Sequence, residues 1–177
     1  MLAKSGTDKE KEHAAAALGN LAFDNADNQK AIADLGGLAP LTELAKSGTD
    51  KQKEDAAGAL WNLSFNDDNK KTMAEAGGVA PLIALVQSGT DKAKMYAAGA
   101  LRALALNADN RTAIVKAGGV APLIELARSG TDRQKQYAAS ALWNLAVNDD
   151  NKKAIAEAGG VAPLIELARS GTDKQKE

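Results

Sequence analysis

The chain has 177 residues, no cysteine and a formal charge of -1 from 22 basic and 23 acidic residues. The missing cysteine excludes disulfide bonds, thiolate zinc sites and a cysteine nucleophile, and the balanced charge creates no overall field that would favour nucleic acid or an anionic membrane. Hydrophobic residues make up 45% of the chain but aromatic residues only 3%, so alanine and leucine must fill most of the interior, which suits closely packed helices.

Membrane insertion and secretion are not expected. The longest apolar runs fall far short of the roughly 18 residues that a transmembrane helix needs. The start of the chain, MLAKSGTD, lacks the apolar core of a signal peptide. We therefore expect a cytoplasmic location.

The sequence repeats itself with a period of about 41 residues. The first interval between repeats is one residue longer, because FDNADN in the first repeat stands where the second has FNDDN, and a loop tolerates such an insertion. The repeat predicts one domain over 1–177, made of units 6–47, 48–88, 89–129 and 130–170 and the truncated start of a fifth unit at 171–177. The glycine of the Ser-Gly-Thr-Asp motif marks each start, at Gly6, Gly48, Gly89, Gly130 and Gly171.

Each unit begins with a predicted long amphipathic helix. In the second unit Thr49 is the N-cap and Gln52 has the spacing of a capping box. The same pairing recurs in the first and fourth units, whereas Thr90 faces Ala93 and lacks the reciprocal partner. We expect the helix to end near Asn66, in a run of turn-forming residues. Its core-facing stripe, at helical spacing, is Ala56, Ala57, Leu60, Leu63 and Ser64.

Two shorter helices follow in each unit. The first runs from about 68 to 76 in the second unit, with Met73 as its apolar anchor, and the pair Gly77-Gly78 ends it and opens a sharp corner. The second runs from about 79 to 87, with Pro81 in its first turn. This proline-containing helix is apolar over too wide a surface for a helix that faces solvent, so we expect neighbours on both sides. The residues equivalent to Met73 are Ile32, Ile114 and Ile155.

Three helices in each unit, a Gly-Gly corner and tandem repetition describe an all-α solenoid. The recurring Asn-Leu of the long helix, the segment NKKAIAEAGG from Asn151 to Gly160 and the segment VAPLIEL from Val161 to Leu167 resemble the armadillo repeat family over essentially the whole chain. The resemblance implies a right-handed superhelix with three helices per unit of about 41 residues. Because the units are so similar to one another, we expect a consensus-like or engineered origin, in which case no cellular compartment is implied.

The resemblance also implies a function, which is non-enzymatic binding of an extended peptide or protein segment in a groove lined by the long helices. In that family an asparagine in each repeat bonds to the peptide backbone, because a carboxamide can pair with both N–H and C=O. Alignment on the Asn-Leu pair places this ladder at Asn20, Asn62 and Asn144. Ala103 interrupts it in the third unit.

Tryptophan stands at an unexpected position. The family carries a groove tryptophan four residues before the ladder asparagine, where this chain has Gly58 and Gly99 in its central units. Instead, Trp61 and Trp143 lie directly before the asparagine, with Arg102 between them and close enough for a cation-π stack. Tyr96 and Tyr137 are candidates for the rim of the groove. The alternative is that all these residues serve packing between units.

The sequence offers few residues for catalysis or metal binding. His13 is the single histidine and the chain has no cysteine, so we do not expect a zinc site or a catalytic triad, and no cofactor or metal is expected. Asn62 and Asn110 begin matches to the glycosylation sequon, but nothing else suggests secretion.

The two ends of the array predict self-association. The last proline-containing helix has the same apolar residues as the internal copies, yet the long helix that should cover it is reduced to a stub; the first long helix has no complete unit before it. We expect head-to-tail contact between copies, giving a homo-oligomer, so a structural self-assembling protein is the alternative to a peptide-binding scaffold. The expected contact residues are Leu18, Leu21, Val161, Leu164, Ile165 and Leu167.

Overall fold

The structure is a computed structural model that describes residues 6–170, except for the side chain of Ser170. This part of the chain contains twelve α-helices and no strand, which confirms the all-α prediction. None of these helices is long and apolar enough to cross a membrane. In chain order they are α1 (Asp8–Ala22), α2 (Ala26–Asp34), α3 (Leu38–Ser47), α4 (Asp50–Leu63), α5 (Asp67–Glu75), α6 (Val79–Ser88), α7 (Asp91–Leu104), α8 (Ala108–Lys116), α9 (Val120–Ser129), α10 (Asp132–Leu145), α11 (Asp149–Glu157) and α12 (Val161–Ser170).

The helices repeat in the predicted order of long, short and proline-containing helix. The bounds in the second unit differ from the predicted ones by a few residues at most, and the largest difference is at the end of α4. There the amides of Phe65 and Asn66 donate to the carbonyls of Asn62 and Leu63, three residues back, at 3.4 Å. The chain therefore leaves the long helix through a tightened turn, and Asn66 is free to cap α5 by accepting from the Asn69 amide at 3.1 Å.

Threonine caps begin the long helices, as the spacing predicts. The Thr49 amide donates to Gln52 Oε1 at 3.0 Å, and the Gln52 amide donates to Thr49 Oγ1 at 3.3 Å, which closes the capping box. Thr90 lacks the reciprocal partner, as predicted. Its hydroxyl instead donates to Glu54 Oε1 of the preceding unit at 2.7 Å, so the cap links two units.

The two glycines of each corner are required for different reasons. The first has a left-handed backbone, with φ of +76° at Gly77, a conformation that side chains with a Cβ rarely adopt. The second is right-handed, with φ of -67° at Gly78, but a Cβ there would lie 2.9 Å from the Met73 carbonyl oxygen. Only the first glycine of the pair therefore has a left-handed backbone.

The core lies between the long helices and the proline-containing helices. The predicted stripe of α4 is buried, as are Met73 and its equivalents. On α6 the side chains of Leu82, Ile83 and Leu85 are buried, which agrees with the expectation that this helix has neighbours on both sides.

Buried amides fix each unit against the one before it. Asn69 Nδ2 donates to the Gln29 carbonyl at 2.9 Å, and Asn110 Nδ2 donates to the Lys70 carbonyl at 3.0 Å. Gln52 Nε2 likewise donates to the Asp8 carbonyl at 2.8 Å. Because a buried amide without a partner costs free energy, these bonds favour a single register between units.

Candidate functional site

One surface of the array is formed by α1, α4, α7 and α10, and we call it the groove surface. Each long helix packs against the next. Between α1 and α4 the groove surface contains an open cavity of about 290 Å³. The predicted Asn20, Asn62, Trp61 and Tyr96 all line it, so the structure brings together predicted site residues from three units.

Trp61 is half-buried at the centre of an aromatic cluster. Its ring centroid lies 5.3 Å from that of Tyr137, 5.8 Å from that of Tyr96 and 6.1 Å from that of Phe65. A Cβ added to Gly99 would lie 2.9 Å from Trp61 Cε2 and Nε1. The indole therefore covers the position at which the family resemblance would place a tryptophan.

Trp143 has the same register as Trp61 but a different environment. Its side chain is 74% exposed. Trp61 is covered by residues of α7 and α10, the two long helices that follow it. No long helix follows α10 in the described residues, so Trp143 has no such cover.

Arg102 lies between the two tryptophans in the repeat but does not stack on either. It is exposed, and in residues 6–170 its guanidinium forms no ion pair and no ring contact. The expected cation-π stack is therefore not found in this part of the chain, and the indole of Trp61 packs against Tyr96, Tyr137 and Gly99.

Two of the ladder asparagines donate hydrogen bonds within the chain. Asn62 Nδ2 donates to the Gly19 carbonyl and Asn144 Nδ2 to the Arg102 carbonyl, each at 2.9 Å. Since a carboxamide has two N–H donors and an acceptor oxygen, each of these side chains keeps one N–H and Oδ1. Asn20 is exposed, and Ala103 is buried.

Two carboxylates lie at the cavity, and no lysine or arginine lines it. Glu54 accepts the hydroxyl hydrogen of Thr90, and Asp55 accepts from Lys51 Nζ at 2.8 Å. The hydrogen bond from Lys51 to Asp55 raises the pKa of Lys51. Unlike Arg102, both acids therefore have a partner within the chain.

A row of exposed apolar side chains follows the ladder and was not singled out from the sequence. The row takes one residue from each unit, three positions after the ladder position. Its signal in the sequence is the fourfold recurrence of a large apolar residue just before the turn formers. These residues, which we call the apolar row, are Phe23, Phe65, Leu106 and Val147, exposed by 70%, 55%, 60% and 65%.

Residues 6–170 contain no group of three or more histidine, cysteine, aspartate or glutamate residues that could hold a metal ion. His13 is exposed on α1. At the two sequon matches, Asn110 is 2% exposed and Asn62 donates to a carbonyl, so neither amide is freely presented.

Three of the six predicted contact residues at the two ends are exposed. Leu21 is 54% exposed, whereas its equivalents Leu63, Leu104 and Leu145 are fully buried. Val161 is 51% and Ile165 46% exposed, and Leu18 and Leu164 are half-buried. Leu167 is only 6% exposed, because it has the register of Leu85 and Leu126, which point inward, and so it is not a surface residue.

The surface around Leu21 is a groove, which we call the N-terminal groove. It encloses about 980 Å³. Its apolar lining includes Leu18, Leu21, Ile32, Leu35 and Pro40.

Comparison with known proteins identifies the class. The model of the Armadillo/beta-catenin-like repeat matches residues 25–65, 66–105 and 107–147, together more than half of the chain. The chain therefore belongs to the armadillo repeat family. The matched repeats begin with the short helix, so this chain, which begins with a long helix, is divided differently.

Several solved structures are similar along nearly the whole chain. A crystal structure of an engineered protein is 36% identical, with a TM-score of 0.91, over 98% of this chain and 72% of the other. A second engineered protein is 31% identical, with a TM-score of 0.92, over 99% and 74%. A designed armadillo repeat protein in complex with the peptide (KR)4 is 22% identical, with a TM-score of 0.91, over 99% and 74%, and this likeness concerns the fold alone. No curated protein sequence matches the chain significantly.

Proposed function

We propose that this chain is a non-enzymatic binding scaffold, consensus-like or engineered in origin, whose groove surface holds an extended peptide or protein segment. The observation that carries the proposal is the apolar row. Four large apolar side chains, one in each unit, stay exposed beside the ladder, and exposed apolar patches rimmed by polar residues are typical of interaction sites. The peptide complex of a designed member with this fold adds support.

The ladder supplies contacts that do not depend on peptide sequence. Asn20, Asn62 and Asn144 would accept from peptide N–H groups through Oδ1 and donate to peptide carbonyls through the remaining N–H. The bonds of Asn62 and Asn144 to helix carbonyls hold these two carboxamides in place before the peptide arrives. Such pre-organisation reduces the entropy that binding would otherwise cost.

The aromatic residues supply the side-chain contacts. Trp61 contacts both Tyr96 and Tyr137, which belong to the two following units, so the three rings form one packed aromatic surface. Trp143 offers a second indole that is largely exposed. Rigid aromatic surface of this kind gives a large contact area for little loss of conformational entropy.

Peptide titration followed by tryptophan fluorescence tests the proposal. We expect peptides from an extended-peptide library to shift the emission, and the variants Trp61→Phe and Trp143→Phe assign the shift to one indole. Asn20→Ala, which breaks no hydrogen bond found in the structure, should weaken binding by about 3- to 10-fold, the effect of one net hydrogen bond. If no peptide changes either indole at high concentration, the chain is not a peptide-binding scaffold.

Head-to-tail self-association is a second candidate function, favoured by the exposure at the two ends. Val161 and Ile165, which we call the C-terminal surface, are exposed where their internal equivalents are buried, and so is Leu21 at the other end. We propose that a second copy covers them. The contact would join the C-terminal surface of one copy to the N-terminal groove of the next, and such an interface propagates into filaments or closes into rings. Mass that rises with concentration would support it.

A further inference from the structure

We propose that the groove surface distinguishes the order of charges along its peptide, taking an acidic residue at Arg102 and a basic residue at the cavity. The proposal rests on the proposed peptide binding and adds the class of peptide that is preferred. It follows from an asymmetry between neighbouring units. The second unit places two carboxylates at the groove surface, and the third places an arginine there.

Arg102 carries the acid-binding half of the proposal. Its equivalents are Gly19, Trp61 and Trp143, so it is the one charged residue at this position of the repeat. The guanidinium has no partner in residues 6–170, and a peptide carboxylate would therefore not have to displace an internal ion pair. A planar guanidinium can bind a carboxylate through two parallel hydrogen bonds.

The backbone at Arg102 is held in place. The Arg102 carbonyl accepts from Asn144 Nδ2 of the following unit at 2.9 Å. The ladder position beside it is Ala103, which offers a peptide no hydrogen bond. In the third unit, a contact that does not depend on the peptide sequence is therefore replaced by one that requires a charged residue in the peptide.

The cavity is the proposed site for the basic residue of the peptide. Glu54 and Asp55 line it together with Phe23, Trp61 and Tyr96, and no basic side chain lines it. Carboxylates beside aromatic faces attract a cation through charge and through the ring quadrupole. Because Asp55 already bonds to Lys51, we expect the cavity to contribute less than Arg102 to the preference between peptides.

Geometry sets the distance between the two charges. Packed helices lie roughly 8–10 Å apart, and the cavity between α1 and α4 is about one and a half such steps from α7, or about 12–15 Å. An extended chain advances about 3.3–3.6 Å per residue. The acidic and basic residues should therefore be roughly four positions apart.

The experiment compares three peptides of equal length, with Glu and Lys four positions apart in one order, in the reverse order, or both replaced by Ala. We expect one order to bind about 5- to 10-fold more tightly than the other, and the difference to shrink at high salt because exposed charges are screened. In the variant Arg102→Glu the preference should be lost, and replacing the peptide glutamate by lysine should restore binding. Lys153→Glu, which makes the same charge change on the short helix α11, should keep the order preference.

The possible outcomes distinguish failure of the charge-order proposal from failure of peptide binding. Equal binding of the two orders within twofold, or a preference that survives Arg102→Glu, overturns the charge-order proposal while peptide binding stands. If even the alanine peptide and the library peptides fail to bind, the proposed function fails and charge order falls with it.

Discussion

At the scale of single residues, the contact between Trp61 and Gly99 shapes the groove surface. Trp61 reaches from one unit onto the helix of the next, and a Cβ on Gly99 would meet the indole at 2.9 Å. A distance below 3.0 Å forces one of the two groups to move. Gly58 has the same register, but a Cβ there would lie 3.5 Å from the Tyr96 ring, which is ordinary van der Waals contact.

This difference predicts opposite effects for two identical substitutions. Gly58→Ala should raise the free energy of unfolding by about 0.5–1 kcal/mol, because alanine is the better helix former. Gly99→Ala should lower it by about 1 kcal/mol, because the cost of overpacking exceeds that gain. Denaturant unfolding measures both, and the Trp61 emission of Gly99→Ala, recorded in a Trp143→Phe background, should shift to the red as the indole is exposed. Equal effects of the two alanines would contradict the packing argument.

Glu10 gives a pH-dependent prediction at the start of α1. The amide and the hydroxyl of Thr7 donate to its carboxylate, and these hydrogen bonds lower the pKa of Glu10 below its ordinary value of 4.5. A lowered pKa means that the stabilisation is present above pH 4.5 and is lost as the pH falls through the lowered value. In an NMR titration the Thr7 amide shift should therefore change at a pH below 4.5.

Glu10→Gln is the matched control for that titration. Gln52 accepts from the Thr49 amide in the same geometry and has no charge to lose. The variant should keep the capped amide shift of residue 7 across the acid range. A midpoint at or above 4.5 in the parent chain would contradict the proposed role of the hydrogen bonds.

At the scale of helices, the sequence predicts the elements well because several independent signals agree. Threonine caps, glycine corners and the apolar period all recur four times, so the helix order follows from the repeat. The contacts between helices are harder to predict from the sequence. Asn62 and Asn144 were predicted as ladder residues, but their bonds to the Gly19 and Arg102 carbonyls depend on how far one helix advances past the next.

The buried amide of Asn69 tests how strongly such contacts hold neighbouring units. It donates to the Gln29 carbonyl at 2.9 Å and to the Leu63 carbonyl at 3.1 Å. Asn69→Ala should lower the free energy of unfolding by about 2–3 kcal/mol, because two buried carbonyls lose a partner. Its equivalent Asn28 is less buried and donates to one carbonyl, that of Leu21. Asn28→Ala should therefore cost less in the same denaturant measurement, and an equal loss would contradict a role specific to the unit junction.

At the scale of the whole molecule, residues at equivalent positions of the repeat differ because different units pack against them. Sequence alignment treats Trp61 and Trp143 as equivalent, yet one is the centre of a cluster and the other is 74% exposed. The difference comes from residues of later units that cover the first tryptophan, and no local pattern encodes it. The same effect leaves Leu21 exposed while its internal equivalents are buried. Exposure at the ends is thus a property of position in the array.

Head-to-tail association makes a prediction that unspecific aggregation does not. Leu21→Glu should block the N-terminal groove and Ile165→Glu the C-terminal surface, and both residues are about half exposed, so the fold should tolerate the charge. Each variant alone should be monomeric in analytical ultracentrifugation at about 100 μM, where a micromolar interface would be occupied. Mixed, they should form a one-to-one dimer and nothing larger, because each supplies one intact surface. Leu106→Glu, a charge on the apolar row of an internal unit, should associate like the parent chain. A parent chain that stays monomeric, or a mixture that does not dimerise, would contradict head-to-tail association.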